Sequence, residues 1–285
     1  MIGATTTVKL AGVLVSTWTG VEQVSITGGA GNDTITTAAG NDLIFGGYGA
    51  DLLDAGAGND LIAAGFDGLT DTVEGGLGGD TLAVSGRTVG YAVDLSTPGL
   101  VRITTTTGAG LQTTVQTTVQ TTVQATGIER LQLYGGYIDT AHDLLRGLSG
   151  DDVLYGNGGN DTIDGGAGVD RLTGGAGADT FAFTSAGAAT PGSFLDRITD
   201  FAQGSDLVSL SVIDANTANR SGVNDAFSFI GTAAFTHVAG QLRPCADPGS
   251  ARVVVQGDTN GGGVADLQVG LSNAGLVLTA ADFIL

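Results

Sequence analysis

A single cysteine, Cys245, excludes an internal disulfide in this 285-residue chain. Basic residues are also scarce: ten Lys and Arg against twenty-nine Asp and Glu leave a formal charge of −19. That balance excludes nucleic acid and anionic membrane as default partners. It also predicts that the compact state repels itself unless counter-cations are present. Histidine occurs only as His142 and His237, far apart and in stretches that do not read as helix. The zinc-hydrolase motif HExxH is absent, as is the nucleophile elbow GxSxG. Cys245 and His237 are near in sequence, but Pro244 and Pro248 suggest a loop there rather than a catalytic pair. Paired carboxylates for glycoside chemistry are not excluded by counting, yet most acids belong to the pattern described next. Catalysis is thus left open, with a non-catalytic role favoured. No apolar run approaches the ~20 residues that span a bilayer, so no transmembrane segment is expected. Lys9 precedes LAGVLVSTW without a basic start or a cleavage site, so a Sec leader is not expected either.

Glycine, by contrast, is abundant: fifty residues against four prolines. Much of it falls in two blocks of nonapeptides. Residues 28–63 read GGAGNDTIT, TAAGNDLIF, GGYGADLLD and AGAGNDLIA; residues 147–182 read GLSGDDVLY, GNGGNDTID, GGAGVDRLT and GGAGADTFA. The fourth place is always glycine: Gly31, Gly40, Gly49, Gly58, Gly150, Gly159, Gly168 and Gly177. The sixth is always aspartate: Asp33, Asp42, Asp51, Asp60, Asp152, Asp161, Asp170 and Asp179. The eighth is a large apolar residue: Ile35, Ile44, Leu53, Ile62, Leu154, Ile163, Leu172 and Phe181. Turn-forming composition alone does not fix aspartate at one place in eight copies.

Each nonapeptide divides into a six-residue turn and a three-residue strand. Glycine serves the turn because several of its positions need φ > 0, which a Cβ penalises. The strand sends its eighth-place side chain to the face opposite its neighbours. One nonapeptide cannot bury that side chain, whereas stacked copies can, so the unit implies a solenoid. The aspartates then fall in register on the turns. Unpaired, such a column repels itself; a hard divalent cation removes the repulsion. Carboxylate with backbone carbonyl oxygen is a calcium set, and flexible geometry suits calcium better than magnesium.

The blocks resemble the RTX (haemolysin-type) calcium-binding repeat. That resemblance implies a parallel β-roll with two nonapeptides per ring and Ca2+ held between neighbouring turns. On the family pattern Asp33 would share an ion with Asp51, Asp42 with Asp60, Asp152 with Asp170, and Asp161 with Asp179. Residues 174–211, with TFAF, DRITDF and SDLVSL, resemble the serralysin C-terminal domain, as do residues 257–271 and the terminal LTAADFIL. The resemblance implies a sandwich-like cap, and a tail of Asp282, Phe283, Ile284 and Leu285 read by a type I (ABC transporter) secretion apparatus. It brings no protease activity, since the zinc ligands are missing.

The expected architecture is all-β: two RTX β-rolls joined by a β spacer and closed by a C-terminal cap. Residues 1–27 read as an N-terminal β cap and 28–83 as the first roll. In that roll Asp71 and Val73 form a slipped turn, and Asp80 with Leu82 restore the pattern. Residues 84–134 read as the β spacer, with strands over AVDLS and GLVRITTTT and a TTVQ triplication that suggests a decorative loop or sheet. Residues 135–183 form the second roll, with Asp143 and Leu145 a degenerate turn and His142 a loop residue. Residues 184–285 are the C-terminal domain. TGIERLQLYGG echoes TGVEQVSITGG, so the chain repeats one plan of β segment followed by roll. DTNGGGVAD carries Asp258, Asn260 and Asp266 like a calcium loop, but Gly262 stands where another acid belongs, which favours a hairpin turn.

These readings point to a secreted, extracellular calcium-binding protein, free or associated with the cell surface, that folds on Ca2+ after export and has a structural or binding role. Calcium binding is expected to be coupled to folding, since an unfolded chain holds no preformed site. Two alternatives stand beside it. The chain starts with little ahead of its first β segment, which suits the C-terminal portion of a larger secreted hydrolase or epimerase. Its regular face and threonines suit an adhesin or ice-binding solenoid.

Overall fold

The computed structural model describes residues 5–10, 13–19, 23–65, 69–85, 90–94, 101–106, 122–126, 130–134, 143–184, 196–217, 224–247, 252–273 and 275–285. The chain divides into two compact units, Met1–Leu144 and Leu145–Leu285. Both are all-β, and among the described residues the sole helical element is one 3-10 turn, Ala280–Asp282. Among the described residues no helix is long and apolar enough to cross a membrane.

In the first unit, β1 (Thr5–Leu10) and β2 (Val13–Thr19) form an antiparallel hairpin. The stretch VKLAGVLVS contributes to both strands. The nonapeptides follow as β3 (Ser25–Ala30), β4 (Thr34–Thr36), β5 (Leu43–Tyr48), β6 (Leu52–Asp54) and β7 (Leu61–Ala63). The slipped and restored turns give β8 (Thr70–Glu74) and β9 (Thr81–Ser85). Consecutive strands go to opposite sheets: β4, β6 and β8 pair in parallel in one, and β3, β5, β7 and β9 in the other. Two nonapeptides therefore make one ring, as the resemblance implied. The eighth-place side chains line the interior, with Ile35, Ile44, Leu53, Ile62 and Leu82 all at 0 % exposure. Strand β1 lies antiparallel against β4 at one end of its sheet.

The spacer strands β10 (Gly90–Asp94), β11 (Val101–Thr106) and β12 (Thr122–Thr126) form an antiparallel meander. They are not a separate layer, because β12 pairs in parallel with β8 and extends the roll's own sheet. β13 (Arg130–Tyr134), from the echoed segment, likewise extends the other sheet beside β9. Most of the TTVQ triplication, and His142, lie outside the described residues.

The second unit repeats the scheme. β14 (Leu144–Arg146), β16 (Thr162–Asp164) and β18 (Thr180–Ala182) belong to one sheet, and β15 (Val153–Gly158) and β17 (Arg171–Ala176) to the other. Asp143 and Leu145 are buried, as a degenerate turn requires. Beyond the repeats the two sheets simply continue. β19 (Arg197–Ile198) adds in parallel to β17, and β20 (Leu207–Ser209) to β18. β21 (Ser228–Phe229), β22 (Gln241–Ala246), β23 (Val253–Asp258) and β24 (Leu267–Leu271) complete one sheet, with an antiparallel β22–β23–β24 meander. β24 joins this meander to β19, and β25 (Phe283–Ile284) adds to β20 in the other sheet. The two sheets here are the roll's own, and a separate sandwich-like cap is not distinguished from them. Phe181 packs on Phe201 at 6.4 Å between ring centroids, so the last repeat and the first non-repeat turn share a core.

Candidate metal-binding turns

The turns are shaped by glycine at two places. The second and fourth positions adopt the left-handed region, for example Gly47 at φ 105° and Gly49 at φ 134°. A Cβ on either would run into the backbone of the ring before it, at Gly29 and Gly31. Asn157, at a second position, is one of two non-glycine residues with positive φ among those described.

The sixth-place aspartates sit where these turns enter the strands and are almost wholly buried, each at 1–3 % exposure. Five of the eight use Oδ1 to accept a backbone N–H from the preceding ring: Asp42 accepts from Val24 at 2.8 Å. Asp51 accepts from Asp33 at 2.9 Å, Asp60 from Asp42 at 2.7 Å, Asp170 from Asp152 at 2.9 Å and Asp179 from Asp161 at 2.9 Å. All four pairs implied by the RTX resemblance are therefore neighbours. The slipped turn keeps the same links over a longer interval: Asp71 accepts from Asp51 and Asp80 from Asp60, both at 2.9 Å.

Two further members had no place in the nonapeptide pattern. Asp196 accepts the N–H of Asp170 at 2.9 Å, and Asp206 that of Asp179 at 3.0 Å. Their sequence signal is the surviving half of the repeat, an aspartate two places before a buried apolar residue, Ile198 or Val208. A second ladder went unread altogether. Fifth-place side-chain oxygens accept N–H groups from the following ring: Asn32 from Ala50, Asn41 from Asn59 and Asn160 from Ala178, each at 2.9 Å. Asp151 does the same for Val169.

The second oxygen, Oδ2, is what bears on a metal. In Asp60, Asp170 and Asp179 it is buried and has no hydrogen-bond partner. Burial pushes the pKa of these three carboxyls up to about 6 and that of Asp196 to about 7; hydrogen bonds from backbone amides and repulsion from nearby acids act second. First-place glycines make room for Oδ2: a Cβ on Gly46, Gly165 or Gly174 would collide with that oxygen of Asp51, Asp170 or Asp179. Asp152 differs, because its Oδ2 accepts the N–H of Leu148 at 2.6 Å. Among the described residues no three His, Cys, Asp or Glu side chains gather into a metal cluster. A cation at these turns would therefore draw the rest of its shell from backbone carbonyls. The donor set fits a hard cation: desolvated carboxylate oxygens, carbonyl oxygens stacked ring on ring, and space kept free of side chains.

Asp258 and Asp266 do not resemble these. Asp258 accepts N–H groups from Gly261, Gly262 and Gly263, and Asp266 accepts from Thr259 and Asn260. Both carboxylates are consumed in shaping the β23–β24 turn, as Gly262 suggested. Cys245 lies in strand β22, not in a loop; Pro244 is accommodated because β21 pairs only with the opening residues of β22. His237 contacts the Gly262 carbonyl at 3.0 Å, beyond the opposite end of the β22–β23 pairing, so the two do not form a catalytic pair.

Fold and turns together define a parallel β-roll built from cation-binding nonapeptides. The family model for the RTX calcium-binding nonapeptide repeat matches residues 26–65 and, in overlapping placements, 137–172 and 146–181. The chain thus carries RTX repeats, and their cofactor is calcium. Comparison with curated proteins gave no match. Solved structures similar to the chain include the AlgE6R3 subunit of the Azotobacter vinelandii mannuronan C5-epimerase, at 26% identity and TM-score 0.38, covering 54% of this chain and 77% of that one. The AlgE6R2 subunit of the same epimerase matches at 27% identity and TM-score 0.38, covering 53% and 85%. The extracellular lipase LipA from Serratia marcescens matches at 18% identity and TM-score 0.30, covering 94% and 40%.

Proposed function

We propose that this is a secreted, non-catalytic calcium-binding protein whose rolls fold on Ca2+ outside the cell after type I export. The observation that carries this reading is the buried aspartate column: Oδ2 of Asp60, Asp170 and Asp179 has no partner, and beside Asp170 and Asp179 the first-place glycines, Gly165 and Gly174, have no room for a Cβ. Without a cation that column is a set of desolvated like charges, which opposes folding. With calcium the same atoms become ligands, and binding free energy becomes folding free energy. The ligands are assigned to the carboxylates of Asp33, Asp42, Asp51, Asp60, Asp80, Asp152, Asp161, Asp170 and Asp179. Backbone oxygens are assigned to Gly31, Gly40, Gly49, Gly58, Gly150, Gly159, Gly168 and Gly177.

The tail supports the order of events. Phe283 is buried and paired with Val208, and Asp282 is engaged by the Thr279 N–H at 2.7 Å. A secretion apparatus that reads these residues must meet them before the sheet closes over them. A chain that folds only in millimolar extracellular calcium satisfies that requirement.

The test is a calcium titration of the purified, chelator-treated chain followed by far-UV circular dichroism, with magnesium in parallel. A cooperative gain of β signal near millimolar calcium, absent with magnesium, is expected. A chain already folded in chelator would overturn the coupling of calcium to folding.

A further inference from the structure

The outer face of the β17–β19–β24 sheet carries cations that the calcium turns do not use. Leu172, Ile198 and Leu271 are in register across these strands and wholly buried. One residue earlier, Arg171, Arg197 and Gly270 therefore face outward. One residue later, Thr173, Thr199 and Ser272 face the same way. Arg252 borders this group, because it precedes Val253, the partner of Leu271. Arg197 stands in the middle: burial, then the positive charges of Arg252 and Arg171, push its pKa down.

Two polar atoms on this face lack partners. The Nε of Arg197 and the Oγ of Ser272 are both buried with no hydrogen bond, while Thr173 and Thr199 engage each other at 2.6 Å. Ser272 is diagonal to Arg197 across the strand pair, within reach of a long side chain. Between them lies Gly270, itself buried, where a Cβ would meet only the Asp196 carbonyl oxygen, at 3.4 Å. Three arginines crowded on a molecule of charge −19 repel each other, and an unsatisfied buried N–H adds to the cost.

We propose that this patch binds a tetrahedral oxyanion, a phosphate or sulfate group, seated over Gly270 between Arg197, Arg252 and the Ser272 hydroxyl, with Arg171 at its edge. Guanidinium groups arriving from several sides, with a hydroxyl donor, match three oxygens and a double negative charge better than a planar carboxylate. The ligand is small, since the acidic remainder of the chain repels a long polyanion.

The experiment is isothermal titration of the calcium-loaded protein with sodium sulfate, glycerol phosphate and sodium acetate, at an ionic strength fixed by sodium chloride. Saturable binding of one sulfate or phosphate ester per chain is expected, with acetate much weaker. Arg252 is exposed, so Arg252→Gln should leave the fold intact by circular dichroism and weaken binding at least about tenfold. Gly270→Val, which adds a side chain there, should abolish it; if that variant does not fold, Arg252→Gln decides alone. Tighter binding of the ester than of sulfate would assign the site to an esterified group, and equal binding to the free ion. Absence of saturable heat with both, parity with acetate, or unchanged affinity in Arg252→Gln overturns the proposal.

Discussion

At the residue scale the decisive atom is the Oδ2 of each sixth-place aspartate. Its partner Oδ1 is committed to the neighbouring ring, so changing the carboxylate affects both ladder and ligand. Asp179→Asn keeps an oxygen for the Asp161 N–H but puts an amide or a neutral oxygen at the metal position. Calcium titration of that variant should show affinity lowered by about tenfold or more, whereas Asp54→Asn, outside the ladder, should leave it near the parent value. Gly156→Ala tests the space rather than the charge. Its Cβ would strike Asp161 Oδ2 and crowd the Gly174 carbonyl, so denaturant unfolding in calcium should show a loss of about 1–3 kcal/mol.

The same residues set a pH dependence. Asp60, Asp170 and Asp179 titrate near 6 and Asp196 near 7 in the folded state, against 3.8 as the ordinary value. A carboxyl whose folded pKa is raised favours folding in its protonated form. That contribution is complete below about pH 4 and is lost as pH rises through 6 to 7. Acidification from pH 7.5 to 5 should therefore shift the metal-free chain toward the folded state, read as a gain of β signal by circular dichroism in chelator. In calcium the dependence should reverse, because protons compete for the ligands.

At the scale of the element, the strands of the repeats are three to six residues long, and each depends on its eighth-place inward side chain. Ile163→Ala removes a wholly buried residue from β16 and should cost about 2–5 kcal/mol in calcium. Val169→Ala, on the turn, contributes its backbone N–H to Asp151 and should change stability by no more than about 0.5 kcal/mol. These strands were legible because aspartate and the apolar residue keep fixed places within nine residues. Asp196 and Asp206 fall outside the nonapeptide pattern because they stand 26 and 27 residues from their partners rather than 18, although Gly204 still holds the fourth place before Asp206. The fifth-place ladder was hidden for another reason: its acceptors are side chains but its donors are backbone amides, so Ala50 or Val169 can receive it without any residue signature. The meander β22–β24 follows no nonapeptide period, and nothing in its local pattern says which sheet it will join.

At the scale of the whole molecule, charge opposes compaction and hydrophobic burial drives it. With a formal charge of −19, the chelated chain should be expanded in small-angle scattering at low ionic strength. Sodium chloride screens the repulsion but supplies no ligand for the buried oxygens, so it should contract the chain only partly. Millimolar calcium should complete the contraction. Equal contraction by sodium chloride and calcium would show that the aspartates need only screening.

The interval between ladder partners has a genetic consequence. Partners within the repeats stand 18 residues apart, two nonapeptides, and 20 where two residues have entered a turn. Duplicating one nonapeptide would exchange every later strand between the sheets, whereas duplicating two inserts a full ring and leaves each strand where it was. Lineages of such chains can therefore lengthen or shorten in whole rings by unequal crossing-over, and length variation among them should fall in steps of the ring rather than of the repeat.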